Sequence, residues 1–433
     1  MSSEMIGVIG IGVLFLLLFL RLYIGVAMAL VGFLGFSYLS GISTGLSLFG
    51  MVPYATGSFY TFSIIPLFVL MGQIAFYSGM SEDIYKTVHK WMGHLPGGLA
   101  MATILGCAGF AAISGSSLAT AATMGTVALP EMKKYRYNES LATGSIAAGG
   151  TLGILIPPSI GFVMYGILTE ESIGRLLLAG IFPGIMLAGL YILTVYIQCK
   201  VKPELAPPGP SSTIKEKLLS LGGTWGMLLL FVVVMGGIYL GVFTPIEAAG
   251  VGAFGALIIA MIRRHMSFSS ILRSLQDTMR TTAMIFLILI GAEIFNLFLG
   301  VTKLPMHLAD FIGALALPNF VVLSTILLLH VILGCVMDGI AMIILTIPVI
   351  FPLIEAMGFD PIWFGVLLVI VLEMGLITPP VGMNVFVIKG VAKDVPLGTI
   401  FKGIWPFLIA CVIAISIIMM FPEIALYIPT RMR

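Results

Sequence analysis

Apolar runs follow one another along nearly the whole chain, separated by short stretches that are polar or rich in glycine and proline. A helix needs roughly 20 apolar residues to cross the hydrocarbon of a bilayer, so the runs predict about ten to twelve transmembrane helices. A membrane barrel would show short segments of alternating polarity instead, and none dominate here. The first run, Met5–Leu20, lacks the basic lead and small-residue cleavage site of a signal peptide, and another apolar segment follows it at once. It reads as a retained first span. Composition strengthens the picture: 59% of the 433 residues are hydrophobic and 9% are charged. Soluble domains carry about 25% charged residues, because water must be met by polar surface. Lipid is therefore the solvent for most of this surface, and the fold class is an all-α integral membrane protein.

One stretch breaks the pattern. Lys200–Lys217 (KVKPELAPPGPSSTIKEK) packs prolines among serines and charges, which no lipid-exposed helix tolerates. It divides the chain into residues 1–199, a linker over 200–217, and residues 218–433. Transporters are often built from paired repeats, and the two parts do match at a shift of 222 residues. That shift lays Gly153, Pro157 and Pro158 on Gly375, Pro379 and Pro380, and Leu129-Pro130 on Phe351-Pro352. It also lays Ser116-Ser117 on Asp338-Gly339 and Asn138 on Asp360. Two amphipathic segments, Ser81–His94 and Arg263–Arg280, mix basic residues with aromatic and aliphatic ones and are expected to lie as helices in the interface. The basic residues leave no clean alternation from which to read orientation.

The motifs that bear chemistry lie in matched places. Gly149–Ser159 holds three glycines in five residues and then a Pro-Pro pair, which removes amide donors and extends the backbone before it. Glu373–Asn384 repeats the arrangement. Backbone freed in this way persists at membrane depth only where it is buried or lines a cavity, and its carbonyls then suit a cation. A structural kink accounts for one such break; two at matched positions, each beside small polar groups, favour a functional site. Before each break stands a candidate re-entrant hairpin. The first joins Gly98–Ala112 to Ala121–Leu129 through Ser114, Ser116 and Ser117, and the second runs from His330 to Pro352 with its tip at Asp338-Gly339. Hydroxyls, a carboxylate and carbonyls are hard donors for a small hard cation, and half-helix N-termini suit an anionic substrate.

Glu247, Glu293, His330 and Glu373 are further ionisable residues at apparent membrane depth, and such residues are functional candidates by default. Glu373, beside a break, is the better candidate, and Glu247 is equally consistent with a helix end. The four cysteines are far apart and lack metal-ligand spacing, and a net charge of +2 gives no reason to expect a nucleic-acid partner. No metalloprotease, serine-hydrolase or phosphate-loop motif is present, so an enzyme is not expected.

The runs GTLGILIPPSIGFVMYG, MDGIAMIILTIPVIFP, GFDPIWFGVLLVIVLEMGLITPPVGMNVFVI and GVFTPIEAAGVGAFGA resemble the large membrane subunit of TRAP (tripartite ATP-independent periplasmic) transporters, the DctM-like family. The likeness covers nearly the whole chain; Gly339 at the second tip is a mild departure. The resemblance implies a sodium-driven elevator-type carrier in the bacterial inner membrane, with two re-entrant hairpins on a mobile domain. It implies two partners, a separate small four-helix membrane subunit and a periplasmic binding protein, besides membrane lipid. Its substrates are organic acids such as C4-dicarboxylates or sialic acid. Sodium is then expected around Ser114, Ser117, Gly150, Thr151 and Gly153, and around Gly334, Asp338, Gly375 and Thr378. The substrate carboxylate is expected near Ser116, Ser159, Thr378 and Asn384. A divalent-anion/sodium symporter that needs no binding protein and a gated anion channel are the rival readings.

Overall fold

In lipid each backbone amide must find its acceptor within its own segment, and the computed structural model accordingly builds its regular structure from helices, with no strand among its described residues, 2–209, 211–263, 266–314 and 317–432. The first helices are α1 (Ser3–Phe19), α2 (Ile24–Ser40), α3 (Ile42–Ser58), α4 (Ile64–Tyr77) and α5 (Met80–Met92). The first motif region holds α6 (Gly98–Ser114), α7 (Ser117–Lys134), α8 (Glu139–Gly150), α9 (Leu152–Leu155) and α10 (Ile160–Thr169). After α11 (Ile173–Ala179) and α12 (Ile181–Val201) come α13 (Ile214–Tyr239), α14 (Pro245–Ile262), α15 (Phe268–Thr302) and α16 (Leu304–Ala314). The second motif region holds α17 (Asn319–Gly334), α18 (Gly339–Ala356), α19 (Pro361–Ile377) and α20 (Met383–Val391), and α21 (Leu397–Met420) and α22 (Glu423–Leu426) follow.

Seven of the described helical segments are long and apolar enough to cross a membrane, or eight if the pair bent by 40° around residues 156–159 counts as one span. The ten to twelve expected from apolar runs differ from this because α1, α2, α6, α17 and α19 are apolar but only 16 or 17 residues long. At a rise of about 1.5 Å per residue they reach less far than the hydrocarbon is thick. Short spans and the arms of re-entrant hairpins both look like this in sequence.

Helix starts recur at one offset. α7 and α18 each have 18 residues and begin 222 residues apart, as do α8 at Glu139 and α19 at Pro361. Small residues set the closest helix contacts, since lipid provides no hydrophobic drive between helices and close backbone packing must substitute. A Cβ on Gly32 of α2 would lie 2.7 Å from the Phe295 Cα of α15, so the two helices meet backbone to backbone there.

Several local expectations change. The amphipathic stretch from Arg263 is not a separate interfacial helix among its described residues: Phe268 to Arg280 forms the first turns of the 35-residue α15, while residues 264 and 265 lie outside the described set. Ser81–His94 does form a helix, α5, and it is tied to the rest of the chain. Thr87 Oγ1 donates to the Ser220 carbonyl at 2.8 Å, Trp91 Nε1 donates to the Lys217 carbonyl at 3.2 Å, and Asp83 pairs with Arg263 at the end of α14. The linker, in which residue 210 is outside the described set, is held against the turns of the first half. Asn138 N donates to the Leu205 carbonyl at 2.8 Å and Gly209 N donates to the Gly93 carbonyl at 2.9 Å. Glu247 is exposed and closes a capping box with Thr244 at the start of α14, so it is a helix-end residue and not a buried functional carboxylate.

Candidate functional site

The first hairpin is α6 and α7 joined by Gly115 and Ser116. Gly115 takes φ +60°, and a Cβ there would lie 2.8 Å from the Pro158 carbonyl oxygen, so the turn needs glycine for both conformation and space. Ser116 then caps α7, its Oγ accepting from Ala119 N at 3.4 Å. The arms run further toward the tip than the apolar pieces foretold, to Ser114 on one side and from Ser117 on the other, because the serines cap and fill the turn. Ser114 Oγ lies 2.9 Å from Thr120 Oγ1, which donates to the Ser116 carbonyl at 2.8 Å.

The second hairpin, α17 and α18, has the same design with a carboxylate in the capping place. Asp338 Oδ2 accepts from Ile340 N at 3.1 Å and Ala341 N at 3.4 Å. His330 joins the two arms, with Nε2 3.0 Å from Thr346 Oγ1 and Nδ1 2.7 Å from the Ile326 carbonyl. Both ring nitrogens are engaged inside the hairpin, which leaves His330 a structural role.

The breaks sit later than the glycines indicated. α8 and α9 run with one kink at Thr151 as far as Leu155, and extended backbone begins at Ile156, before Pro157. In the second half α19 ends at Ile377 and Thr378 is extended, before Pro379. Both Pro-Pro bonds are cis. The glycines before the breaks are places where a hairpin lies against its helix. A Cβ on Gly153 would be 2.5 Å from the Ser116 carbonyl oxygen, and one on Gly375 would be 2.7 Å from the Gly334 Cα. Gly375→Ala should therefore push α17 off α19 at an overpacking cost of about 1–3 kcal/mol. A lowered unfolding temperature of the purified protein checks this; an unchanged one would show that the contact is dispensable.

A cavity of about 420 Å³ lies between the two tips, and its wall includes Ser114, Ser116, Ser117 and Asp338. Ser117 also reaches across the halves. Its Oγ donates to Glu373 Oε1 of α19 at 2.6 Å. Glu373 is 1% exposed, and its Oε2 has no partner among the described residues.

The remaining expected residues lie around this centre but not on the cavity wall. Ser159 is buried and caps α10, accepting from Phe162 N at 3.2 Å. Thr151 donates to the Ala148 carbonyl at 2.6 Å and lies 3.0 Å from Tyr191 Oη, so its hydroxyl is already engaged. Gly150 packs on Ala121. Thr378 donates back into its own helix, to the Met374 carbonyl at 2.6 Å. Asn384, in the first turn of α20, is fully buried with neither side-chain atom paired among the described residues.

The opposite wall was missed in the sequence. It comes from α4, through Gly72, Gln73 and Phe76, and from α15, through Thr281 and Met284. Gln73 carried the usable signal, as the one amide in an otherwise apolar helix. At the far end of α7, Lys133 Nζ meets Asp394 Oδ2 at 2.6 Å, beyond the end of α20. This bond holds the exposed Asp394 carboxyl below the usual carboxylate range.

Comparison with known proteins decides the family. The model of the tripartite ATP-independent periplasmic transporter, DctM component, matches residues 11–424. The chain belongs to the DctM family. It is thus the large permease component of a TRAP transporter, a multi-pass membrane protein. Relatives of this DctM-family chain include the C4-dicarboxylate TRAP transporter large permease protein DctM of Pseudomonas aeruginosa, 36% identical over 87% of this chain and 88% of that protein. The sialic acid TRAP transporter large permease protein SiaM of Vibrio cholerae is 32% identical over 86% of each. In fold the chain is similar to the YdaH transporter of Alcanivorax borkumensis, with a TM-score of 0.64, 16% identity and 89% of each chain covered.

Proposed function

We propose that this TRAP permease takes up an organic acid at the expense of a sodium gradient, in the bacterial inner membrane, by an elevator movement. The observation that carries the reading is the meeting of two hairpin tips, Ser114–Ser117 and Asp338, on one cavity. The serine hydroxyls and the Asp338 carboxylate are hard oxygen donors of the kind a sodium ion takes. Ser114 and Ser117 with the backbone at Gly153 would hold one ion, and Asp338 with the Gly334, Gly375 and Thr378 region another. The capped start of α7 at Ser116 presents unpaired amides and the positive end of a helix dipole, which suits a substrate carboxylate. Ser159 and Asn384 would support that site from behind it. The 222-residue offset between helix starts supports two structural repeats, 1–199 and 218–433, around the linker at 200–217.

Relatives named for C4-dicarboxylate and sialic acid transport support these two acids as substrates to test, and both offer a carboxylate. The tripartite family supports two partners, a small membrane subunit and a periplasmic binding protein. The test is uptake by proteoliposomes holding both membrane subunits, with and without the binding protein, across a panel of labelled organic acids. Uptake of at least one acid only with the binding protein present supports the proposal. Equal uptake without it would favour a symporter that works alone, and flux that follows voltage with no uphill accumulation would favour a channel.

A further inference from the structure

A second cavity, of about 610 Å³, lies on the other side of the second hairpin tip, between α17 and the turn joining α1 to α2. Phe19, Leu22, Leu287, Ile332 and Val336 line it, with Leu118 from the first hairpin, and Asp338 is its one charged wall residue among those described. Its outer wall opens on the surface: Phe19 is 87% exposed, Val336 63% and Ile332 58%. In a membrane protein that surface faces acyl chains. An empty apolar cavity carries a cost that grows with its volume, and water is stable in a cavity only where several polar partners hold it.

A charge stands beside the lining in sequence. Arg21, not itself a wall residue, lies in the α1–α2 turn between the wall residues Phe19 and Leu22. It is exposed and forms no ion pair among the described residues. Tyr23 beside it is 81% exposed. An aromatic residue next to a basic one is the composition of a membrane–water interface, and a guanidinium there matches a lipid phosphate.

We propose that this groove is a binding site for one anionic phospholipid, with its phosphate on Arg21 and one acyl chain between α15 and α17, ending beside the second hairpin tip. The chain thereby fills the space behind Asp338 and bridges the N-terminal helices to that hairpin.

The test counts phospholipids retained by the permease in mild detergent, by native mass spectrometry, after equilibration with phosphatidylglycerol and phosphatidylethanolamine. The wild type should keep one lipid and prefer phosphatidylglycerol. Arg21→Ala should lower that preference about fivefold, the worth of one surface arginine near anionic lipid. Ile332→Trp and Val336→Trp, at exposed positions that tolerate bulk, should fill the groove and lose both lipids. Val232→Trp, 64% exposed elsewhere on the surface, should change nothing. Equal retention by all these proteins, or an unchanged preference in Arg21→Ala, would overturn the proposal. So would a cross-link from Val336→Cys to another polypeptide in native membranes, which would assign the groove to a protein.

Discussion

Asp338→Asn is expected to cut gradient-driven uptake about 100-fold while leaving the fold intact, since interactions with a charged group are worth roughly 1.5–3 kcal/mol. The substitution separates the two tasks of this residue. As a cap, Asp338 accepts the amides of Ile340 and Ala341, and asparagine caps about as well as aspartate. As a member of the cavity wall it brings the one carboxylate among the described wall residues that a sodium ion would meet there. Asp338→Ala removes both and should lower stability by about a further 1 kcal/mol. Unchanged uptake with Asp338→Asn would remove the carboxylate from the coupling site.

Ser117→Ala is expected to be the most damaging single change for stability among the hairpin residues. Glu373 is buried and among the described residues only Ser117 is bonded to it, so the substitution strands a whole carboxyl group inside the bundle. Leaving a buried polar group without a partner costs about 1–3 kcal/mol, and more if it is charged. Glu373→Leu should do less harm, because it leaves one neutral hydroxyl unpaired and not a carboxyl group. The pair Ser117→Ala with Glu373→Leu should recover most of the loss. Thermal unfolding of the four proteins in detergent measures this directly; four equal midpoints would mean that the bond holds nothing together.

How far the chain could be read in advance follows from the range of each interaction. Helical class, the two hairpins and the paired breaks were legible because lipid imposes local rules: apolar length, caps, and the extended residue before proline at Ile156 and Thr378. The exact breaks were not. Gly149, Gly150 and Gly153 look like helix breakers, yet they stay helical, since each meets a neighbour too closely for a side chain: Cys107, Ala121 and the Ser116 carbonyl in turn. Close packing of that kind depends on partners distant in sequence. The Ser117–Glu373 bond spans 256 residues, and no local pattern announces it. Nor could periodicity foresee that α4 and α15 would close the cavity opposite the tips. Asn384 reads in the sequence as a polar residue beside a break, and it lies fully buried with its amide unpaired among the described residues.

The central claim is that Asp338 and the serine tip convert a sodium gradient into uptake. The most direct measurement is accumulation of a labelled acid by proteoliposomes of the assembled transporter under an imposed sodium gradient, with an equal potassium gradient as control. The account predicts uphill accumulation with sodium alone, its initial rate about 100-fold lower in Asp338→Asn. Equal accumulation with potassium, or an undiminished initial rate in Asp338→Asn, would contradict it.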